Sequence, residues 1–279
     1  MQYKKLLTIQ DISCVGQCSL TVALPILSAC GVETCILPSA VLSTHTSGFK
    51  NYTFRDLTED MPLIKKHWIS EGITFDAIYT GYLGSAKQID YVKDFIKETL
   101  NPGGITVIDP AMADCGKLYP GFDLDFVQKM KSLCENADYL VPNITEACLL
   151  TGIPYCENYD ESYITEICAA LASLGAKTIV LTGVSYDPSF TGVVVYDGKI
   201  RYYKHKRINR GCHGTGDVYA SAFTGALLNG INPFDAARIA ANYTVRCIEN
   251  TITDTTHWYG VKFETALSSL IKEIKSESK

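Results

Sequence analysis

The segment from Gly211 to Asp217, Gly-Cys-His-Gly-Thr-Gly-Asp, has residue types and a spacing that can hold an anion. Gly214 and Gly216 free the backbone to turn its N–H groups toward one point, and a helical run follows directly. The positive end of that helix adds to the field, so Gly214, Thr215 and Gly216 predict an anion hole. Asp217 would stand beside the anion, where a carboxylate can take a proton from an attacking hydroxyl. A plain glycine-rich loop with a stabilising acidic first turn fits these residues equally well, and they do not separate the two interpretations.

A second group of polar residues follows two predicted strands. Asp109 ends the strand Ile105–Asp109, while Asn143 and Glu146 come after the strand Tyr139–Val141. An Asp, a Glu and an amide at adjacent strand ends suit Mg²⁺, which prefers hard oxygens and bridges substrate phosphates. Taken singly, Asn143 is better explained as a helix N-cap with Glu146 as its capping-box partner. Their position beside a phosphate loop favours the metal site.

The composition describes a globular chain with a sizeable core and excludes several classes of function. The 279 residues are 47% hydrophobic and 20% charged, and 25 Lys plus Arg against 30 Asp plus Glu give a net charge of −5. No block of like charge is present, so we expect no nucleic-acid partner. The absence of Gly-x-x-x-x-Gly-Lys-Ser/Thr excludes a P-loop NTPase.

The cysteines and the apolar stretches indicate where the protein works. The eleven cysteines include no Cys-x-x-Cys pair and are scattered among apolar residues, as is typical of a reducing cytosol. The uncharged stretch 12–32 is long enough to span a bilayer, but it contains Gly16, Pro25 and Gly31 and therefore fits a loop plus a buried helix. Lys4 and Lys5 are followed by only a short apolar run before Asp11 and by no small-residue cleavage site, so we expect no cleavable leader. We expect a cytoplasmic protein with no membrane partner.

Short β-rich runs alternate with amphipathic stretches of helical period, which is the pattern of βαβ units around a mainly parallel sheet. No repeat or linker interrupts it, so one domain over residues 1–279 is expected. Asp197-Gly198 between two strand-like runs predicts one antiparallel hairpin. The predicted parallel strands are Leu6–Gln10, Glu33–Pro38, Ala77–Thr80, Ile105–Asp109, Tyr139–Val141 and Thr178–Thr182.

Capping residues and glycines predict where the helices between these strands begin and end. Ser85 with Gln88 predicts a capping box at the start of a helix, and Ser19 predicts the cap of a helix that Gly31 ends. Beyond the hairpin, helices are expected over 217–228, 234–249 and 263–275. Since ligands bind beyond the carboxyl ends of such strands, polar residues there should converge. They include Asp11, His45, Thr46, Tyr82, Asp109, Asn143 and Glu146.

Five motifs in order resemble the pyridoxal/pyridoxamine kinases of the ribokinase-like superfamily, and the resemblance covers nearly the whole chain. It implies a three-layer α/β/α sandwich with a mainly parallel central sheet and one antiparallel hairpin. It also implies ATP-dependent phosphorylation of the 5′-hydroxymethyl group of a B6 vitamer, by an enzyme that is usually a homodimer. The motifs are Ser43-Thr-His-Thr-Ser-Gly-Phe49, Thr80-Gly-Tyr-Leu-Gly-Ser85, Asp109-Pro-Ala-Met-Ala-Asp114 with Gly116-Lys-Leu-Tyr119, Pro142-Asn-Ile-Thr-Glu146 and Gly214-Thr-Gly-Asp217.

The resemblance further implies a role for each candidate residue. Asp217 would be the base on the hydroxyl, and the anion hole for the transferring phosphoryl would consist of Gly214, Thr215 and Gly216. Thr182, Gly214 and Gly216 would contact the nucleotide, and a monovalent cation such as K⁺ commonly assists. Mg²⁺ and its waters would be organised by Asp109, Asn143 and Glu146. The pyridine ring would be held by His45, Thr46 and Tyr82.

Asp11 departs from the family, because many relatives carry Ser at this position. We hypothesise that its carboxylate favours a cationic vitamer such as the pyridoxamine ammonium ion, and an Asp that caps the following loop explains it equally well. The segment Ser43–Tyr52 is expected to act as a flap hinged at Gly48.

Alternative functions remain open from the sequence. Within the same fold the nearest is a hydroxymethylpyrimidine kinase, followed by a sugar kinase. From another class, the chain could serve as a nucleotide-binding regulator without catalysis, although intact Asp217 and intact glycines argue against this.

Overall fold

The computed structural model of the protein describes residues 3–208 and 211–278. Strands and helices alternate through most of the chain, as the sequence pattern predicts. In chain order the elements are β1 (Lys5–Ser13), α1 (Leu20–Ala29), β2 (Glu33–Leu42), β3 (Phe54–Asp56), α2 (Met61–Ser70), β4 (Phe75–Thr80), α3 (Ala86–Thr99), β5 (Leu100–Ile108), β6 (Ala113–Asp114), β7 (Lys117–Leu118), α4 (Leu124–Cys134), β8 (Tyr139–Leu140), α5 (Ile144–Thr151), α6 (Glu161–Ser173), β9 (Thr178–Asp187), β10 (Phe190–Tyr196), β11 (Ile200–Lys206), α7 (Thr215–Leu228), α8 (Pro233–Thr251), a 3-10 turn (Phe263–Ala266) and α9 (Leu267–Glu277).

The main sheet has the strand order β11-β10-β9-β8-β5-β4-β1-β2-β3. The pairs from β2 through β1, β4, β5 and β8 to β9 are all parallel, and β9, β10 and β11 form an antiparallel edge. The mainly parallel sheet with its hairpin is therefore confirmed. The short strand β3, antiparallel to β2 at the opposite edge, was not predicted.

Helices cover both faces of the sheet and enclose two separate cores. Neighbouring residues of β1 show the division, since Leu6 belongs to the core under α1, α7, α8 and α9, while Leu7 belongs to the core under α2 to α6. Side chains of a strand alternate between faces, so a strand buried on both sides needs apolar residues at successive positions. This is the three-layer α/β/α arrangement expected from the sequence.

Most predicted helix boundaries are confirmed, but two predicted N-terminal caps differ in their hydrogen bonds. Gly31 ends α1 with φ +82°, and Ser85 Oγ accepts a hydrogen bond from the Gln88 N–H at 3.3 Å. The Gln88 side chain, however, accepts from the Gly84 N–H, so the capping box is only half formed. Ser19 occupies the N-cap position of α1 as predicted, but its side chain makes no capping hydrogen bond. Its hydroxyl instead lies beside the Asp11 carboxylate, where it lowers the pKa of that group.

The register of the parallel strands brings the candidate residues to one edge. Ile9 pairs with Thr80 and Thr80 pairs with Ile108, so the residues that follow each strand emerge side by side. Within the described residues, no helix is long and apolar enough to cross a membrane.

Candidate active site

The anion loop lies where the sequence predicts it, at the start of α7. Gly214 takes the N-cap position with φ +73°, a conformation that favours glycine. The first N–H groups of any helix have no acceptor within the helix, so those after Gly214 are available to a ligand. Nothing lies within 4 Å of where a β-carbon on Gly216 would stand, so this position borders open space.

Asp217 stands in the first turn of α7 with an altered proton affinity. Burial raises the pKa of its carboxyl to about 7, a hydrogen bond from the Ser19 backbone N–H opposes the rise, and the nearby charge of Asp11 adds to it. A carboxylate of this kind is a stronger base than an ordinary aspartate and is matched to proton transfer near neutral pH.

Asp11 lies close to Asp217 at the end of β1. It is only 4% exposed, and the Ser13 hydroxyl donates to its Oδ2 at 3.0 Å. Burial raises its pKa, while hydrogen bonds from Ser19 and Ser13 act against the rise. Ser19 therefore lies beside both carboxylates and lowers the pKa of each, of Asp11 through its side chain and of Asp217 through its backbone N–H.

His45 is buried and its ring has a defined tautomer. Its Nδ1 accepts from the Ser47 N–H at 3.1 Å, which leaves Nε2 to donate to the Tyr259 carbonyl at 2.9 Å. Burial lowers the pKa of the ring, so His45 is neutral at physiological pH. Gly16 permits this arrangement, since a β-carbon there would lie 2.1 Å from the ring. Thr46, the next residue, is exposed, and its side chain makes no hydrogen bond to any described residue.

An aromatic wall stands beside Asp11. The Tyr82 ring lies 5.4 Å from the ring of Phe122 at an angle of 33°. Burial raises the pKa of Tyr82 to about 12, and the charge of Asp11 contributes, which shows that the two side chains are neighbours. Phe122 was not predicted, although the Pro120-Gly121 turn just before it is a visible loop signal.

Asn143 and Glu146 form the capping box at the start of α5. Asn143 Oδ1 accepts from the Glu146 N–H at 3.0 Å, and Glu146 Oε2 accepts from the Asn143 N–H at 2.9 Å. Glu146 Oε1 accepts a further hydrogen bond from the Met112 N–H at 3.1 Å. Asn143 Nδ2 donates to the Ala113 carbonyl at 2.8 Å. The structural role that the sequence favoured for these two residues taken singly is thus present.

Asp109 faces the same cluster and differs from Glu146 in that its carboxylate accepts no hydrogen bond from any described residue. Burial is the main cause that raises the pKa of Asp109, and repulsion by the charges of Glu146 and Asp217 raises it further. Buried carboxylates that repel one another are relieved by a cation, so the donor set fits Mg²⁺.

Among residues 3–208 and 211–278, no group of three or more His, Cys, Asp or Glu could hold a metal by itself. Mg²⁺ would therefore keep several waters and take other ligands from substrate phosphates.

Thr182 ends the parallel part of β9, beside Asn143. Its N–H and hydroxyl both donate to the Pro142 carbonyl, at 2.9 and 3.2 Å. The residue lies at the strand end where the sequence predicts it, and its hydroxyl bonds the chain two residues beyond β8.

A contact between the predicted flap and the segment 257–260 was not foreseen. The Phe49 ring lies 4.6 Å from the ring of Trp258, and Gly48 packs on the same indole. His257 Nε2 lies 3.1 Å from Gln17 Oε1, which ties this segment to the loop after β1.

Comparison with known proteins finds relatives that match most of the chain. The family model for phosphomethylpyrimidine kinase matches residues 24–261. A Bacteroides thetaiotaomicron protein assigned as a phosphomethylpyrimidine kinase, crystallised with pyridoxal, is 36% identical with a TM-score of 0.91, over 96% of each chain. Pyridoxal kinase from Lactobacillus plantarum is 32% identical with a TM-score of 0.90, over 97% of this chain and 98% of that one.

A curated relative extends the similarity. Pyridoxal kinase from Dictyostelium discoideum is 28% identical over 241 residues, which cover 79% of this chain and 77% of the relative. The two solved structures share the fold of this chain over nearly its whole length. The chain belongs to the phosphomethylpyrimidine and pyridoxal kinase family of ribokinase-like fold, and it is a kinase.

Proposed function

We propose that this kinase transfers the γ-phosphoryl group of ATP to the 5′-hydroxymethyl group of a B6 vitamer. The observation that carries the proposal is the position of Asp217. It lies between the anion loop and Asp11, with a pKa raised to about 7. A base of this strength beside an anion hole is what phosphoryl transfer to an alcohol requires.

The acceptor ring would lie against Tyr82, with Asp11 and His45 at its polar edge. The aromatic wall of Tyr82 and Phe122 suits a flat heteroaromatic ring better than a sugar. Neutral His45 would shape this space, because both of its ring nitrogens already bond the backbone. Thr46 would reach the ring only after the flap moves, since it is exposed here. The Bacteroides relative with pyridoxal supports this class of acceptor.

The transfer itself would use few groups. Asp217 takes the hydroxyl proton as the acceptor oxygen bonds to the γ-phosphorus and the bond to the β-phosphate oxygen breaks, releasing ADP. The N–H groups of Gly214, Thr215 and Gly216 stabilise the charge on the transferring phosphoryl. Mg²⁺, when bound, neutralises phosphate charge.

The ionic requirements follow from the donor set. Asp109 has a free carboxylate and would be the direct Mg²⁺ ligand. Asn143 and Glu146 are engaged in the capping box and would act through metal-bound water. Thr182 would lie near the phosphates, and K⁺ is an expected activator by resemblance alone. A homodimer in the cytoplasm belongs to the same proposal, and sedimentation of the purified protein tests the dimer.

The deciding experiment is a Mg-ATP assay across pyridoxal, pyridoxamine, pyridoxine, hydroxymethylpyrimidine and ribose. We expect turnover of the B6 vitamers. Asp217→Asn should lower kcat about 1,000-fold with little change in KM, because a general base contributes to the transition state. Turnover of ribose alone would overturn the acceptor assignment.

The second candidate is a hydroxymethylpyrimidine kinase, favoured by the family model that matches residues 24–261. Its acceptor also carries a hydroxymethyl group on a flat ring, so the same site could hold it. Preference for hydroxymethylpyrimidine by kcat/KM in the same assay would select this candidate. A regulator without catalysis would consume no ATP with any acceptor.

A further inference from the structure

Three buried oxygen atoms beneath the site lack hydrogen-bond partners. They are Gln10 Oε1, the Tyr79 hydroxyl and Ser221 Oγ, and within the described part of the chain none has a partner. All three residues are completely buried. Buried polar groups in proteins are almost always paired, so unpaired ones call for an explanation.

The three side chains come from different elements and meet on one face of the sheet. Thr8 of β1 pairs with Tyr79 of β4 in the parallel register, and Gln10 lies two residues beyond Thr8 on the same face. α7 covers this face and contributes Ser221. Burial raises the pKa of Tyr79 overall, and the side chains of Ser221 and Gln10 lie near enough to its hydroxyl to oppose that rise as hydrogen-bonding groups. No two of the three oxygens meet in hydrogen-bond geometry, however.

The donors and acceptors of this group suit one water molecule. Gln10 Nε2 already donates to Thr8 Oγ1 at 2.9 Å, so its Oε1 needs a donor. The two hydroxyls can donate to the water oxygen, and the water can donate to Gln10 Oε1. Internal waters typically make about three hydrogen bonds to groups of this kind.

The group lies directly under the catalytic carboxylates. Ser221 follows Asp217 by four residues in α7, so the two side chains lie one turn apart on the same helix face. Tyr79 stands next to Thr80, whose carbonyl accepts the Asp109 N–H at 3.0 Å. The charges of Asp109 and Asp217 both contribute to the raised pKa of Tyr79.

We propose that Gln10, Tyr79 and Ser221 bind one internal water that joins β1 and β4 to α7, and that Tyr79 is thereby a positioning residue for Asp217. The water fixes the first turns of α7 against the sheet and so holds the Asp217 carboxylate in place. The effect on turnover rests on the proposed function, whereas water binding does not.

The test compares Tyr79→Phe with Tyr219→Phe. Tyr219 is a matched control because it is a buried tyrosine of α7 with an unpaired hydroxyl, and burial alone shifts its pKa. Tyr79→Phe should lower Tm by about 2–4 °C more than the control substitution. Because Tyr79 and Ser221 share one water, Tyr79→Phe and Ser221→Ala should lower Tm by less together than the sum of their separate effects.

Kinetics and a crystal structure complete the test. Tyr79→Phe should lower kcat about threefold to tenfold with KM for both substrates within about twofold, and Tyr219→Phe should leave kcat unchanged. A high-resolution crystal structure should show a water within hydrogen-bond distance of all three oxygens.

Equal Tm for the two Tyr→Phe variants, strictly additive losses or an unchanged kcat would overturn the inference. If the wild-type enzyme does not phosphorylate B6 vitamers, the proposed function fails. The Tm comparison and the position of the water in the crystal structure still test the internal-water proposal.

Discussion

Gly214 packs directly against the backbone carbonyl of Gln17, so that a β-carbon at position 214 would lie 1.9 Å from that oxygen. The contact joins the anion loop to the loop after β1. The same loop receives the His45 ring against Gly16 and carries Ser19, which lies beside both Asp11 and Asp217. One short segment therefore connects the anion loop, the His45 ring and the carboxylates of Asp11 and Asp217.

The first prediction concerns this contact. Gly214→Ala must displace the Gln17 carbonyl and place a side chain at φ +73°, so we expect Tm to fall by about 5 °C. We also expect kcat/KM for ATP to fall about 100-fold, because the anion hole is distorted. Gly216→Ala is the matched control for folding, since its β-carbon meets nothing within 4 Å. Equal Tm values for the two variants, measured by calorimetry, would contradict the prediction.

The pH dependence of kcat should report the raised pKa of Asp217, which is about 7. The base works only when ionised, so the rate should rise with pH through that value and fall about tenfold per unit well below it. The charge of Asp11 raises the pKa of Asp217, so Asp11→Asn should move this limb to lower pH. A limb near the pKa of an ordinary aspartate in the wild type would refute the assignment, as would no movement in the variant.

Ser19 should carry measurable backbone strain. Its φ of 55° with ψ of −133° belongs to a region that side chains rarely adopt, while glycine adopts it freely. Ser19→Gly and Ser19→Ala lose the same hydroxyl, and only the glycine relieves the backbone. Urea unfolding should therefore find the glycine variant more stable than the alanine variant by about 1 kcal/mol. The reverse order would mean that the backbone relaxes at no cost.

Asp11 should influence the choice of acceptor. Its buried carboxylate can pair with an ammonium group of the acceptor, which an uncharged aldehyde or alcohol cannot offer. We expect Asp11→Ser to lower the ratio of kcat/KM for pyridoxamine to that for pyridoxal about tenfold. Asp11→Asn, which keeps the size of the side chain, should also lower this ratio of kcat/KM values. An unchanged ratio in both variants leaves Asp11 as a residue that organises the Ser13–Ser19 turn.

Local patterns predicted much of the fold because their physical causes are local. The apolar run of β1, the Asp197-Gly198 turn and the glycine that ends α1 each express a backbone preference of a few consecutive residues. The short strand β3 was not predicted because its three residues are exposed and pair only with the end of β2, at the edge of the sheet. A serine before a helix usually caps it with its side chain, whereas Ser19 stands at the N-cap position in an unusual backbone conformation, and its hydroxyl lies beside the buried Asp11.

By itself, the sequence determined which residues could do chemistry: the anion loop, Asp217 and the carboxylates at the strand ends. Their motifs are short and their order along the chain is distinctive. Only the tertiary structure decided how those residues act on one another. The pKa of Asp217, the tautomer of His45 and the unpaired hydroxyl of Tyr79 depend on burial and on partners remote in sequence, such as Tyr259. Desolvation and hydrogen-bond geometry depend on how distant segments pack together, so they cannot be predicted from the spacing of residues along the chain.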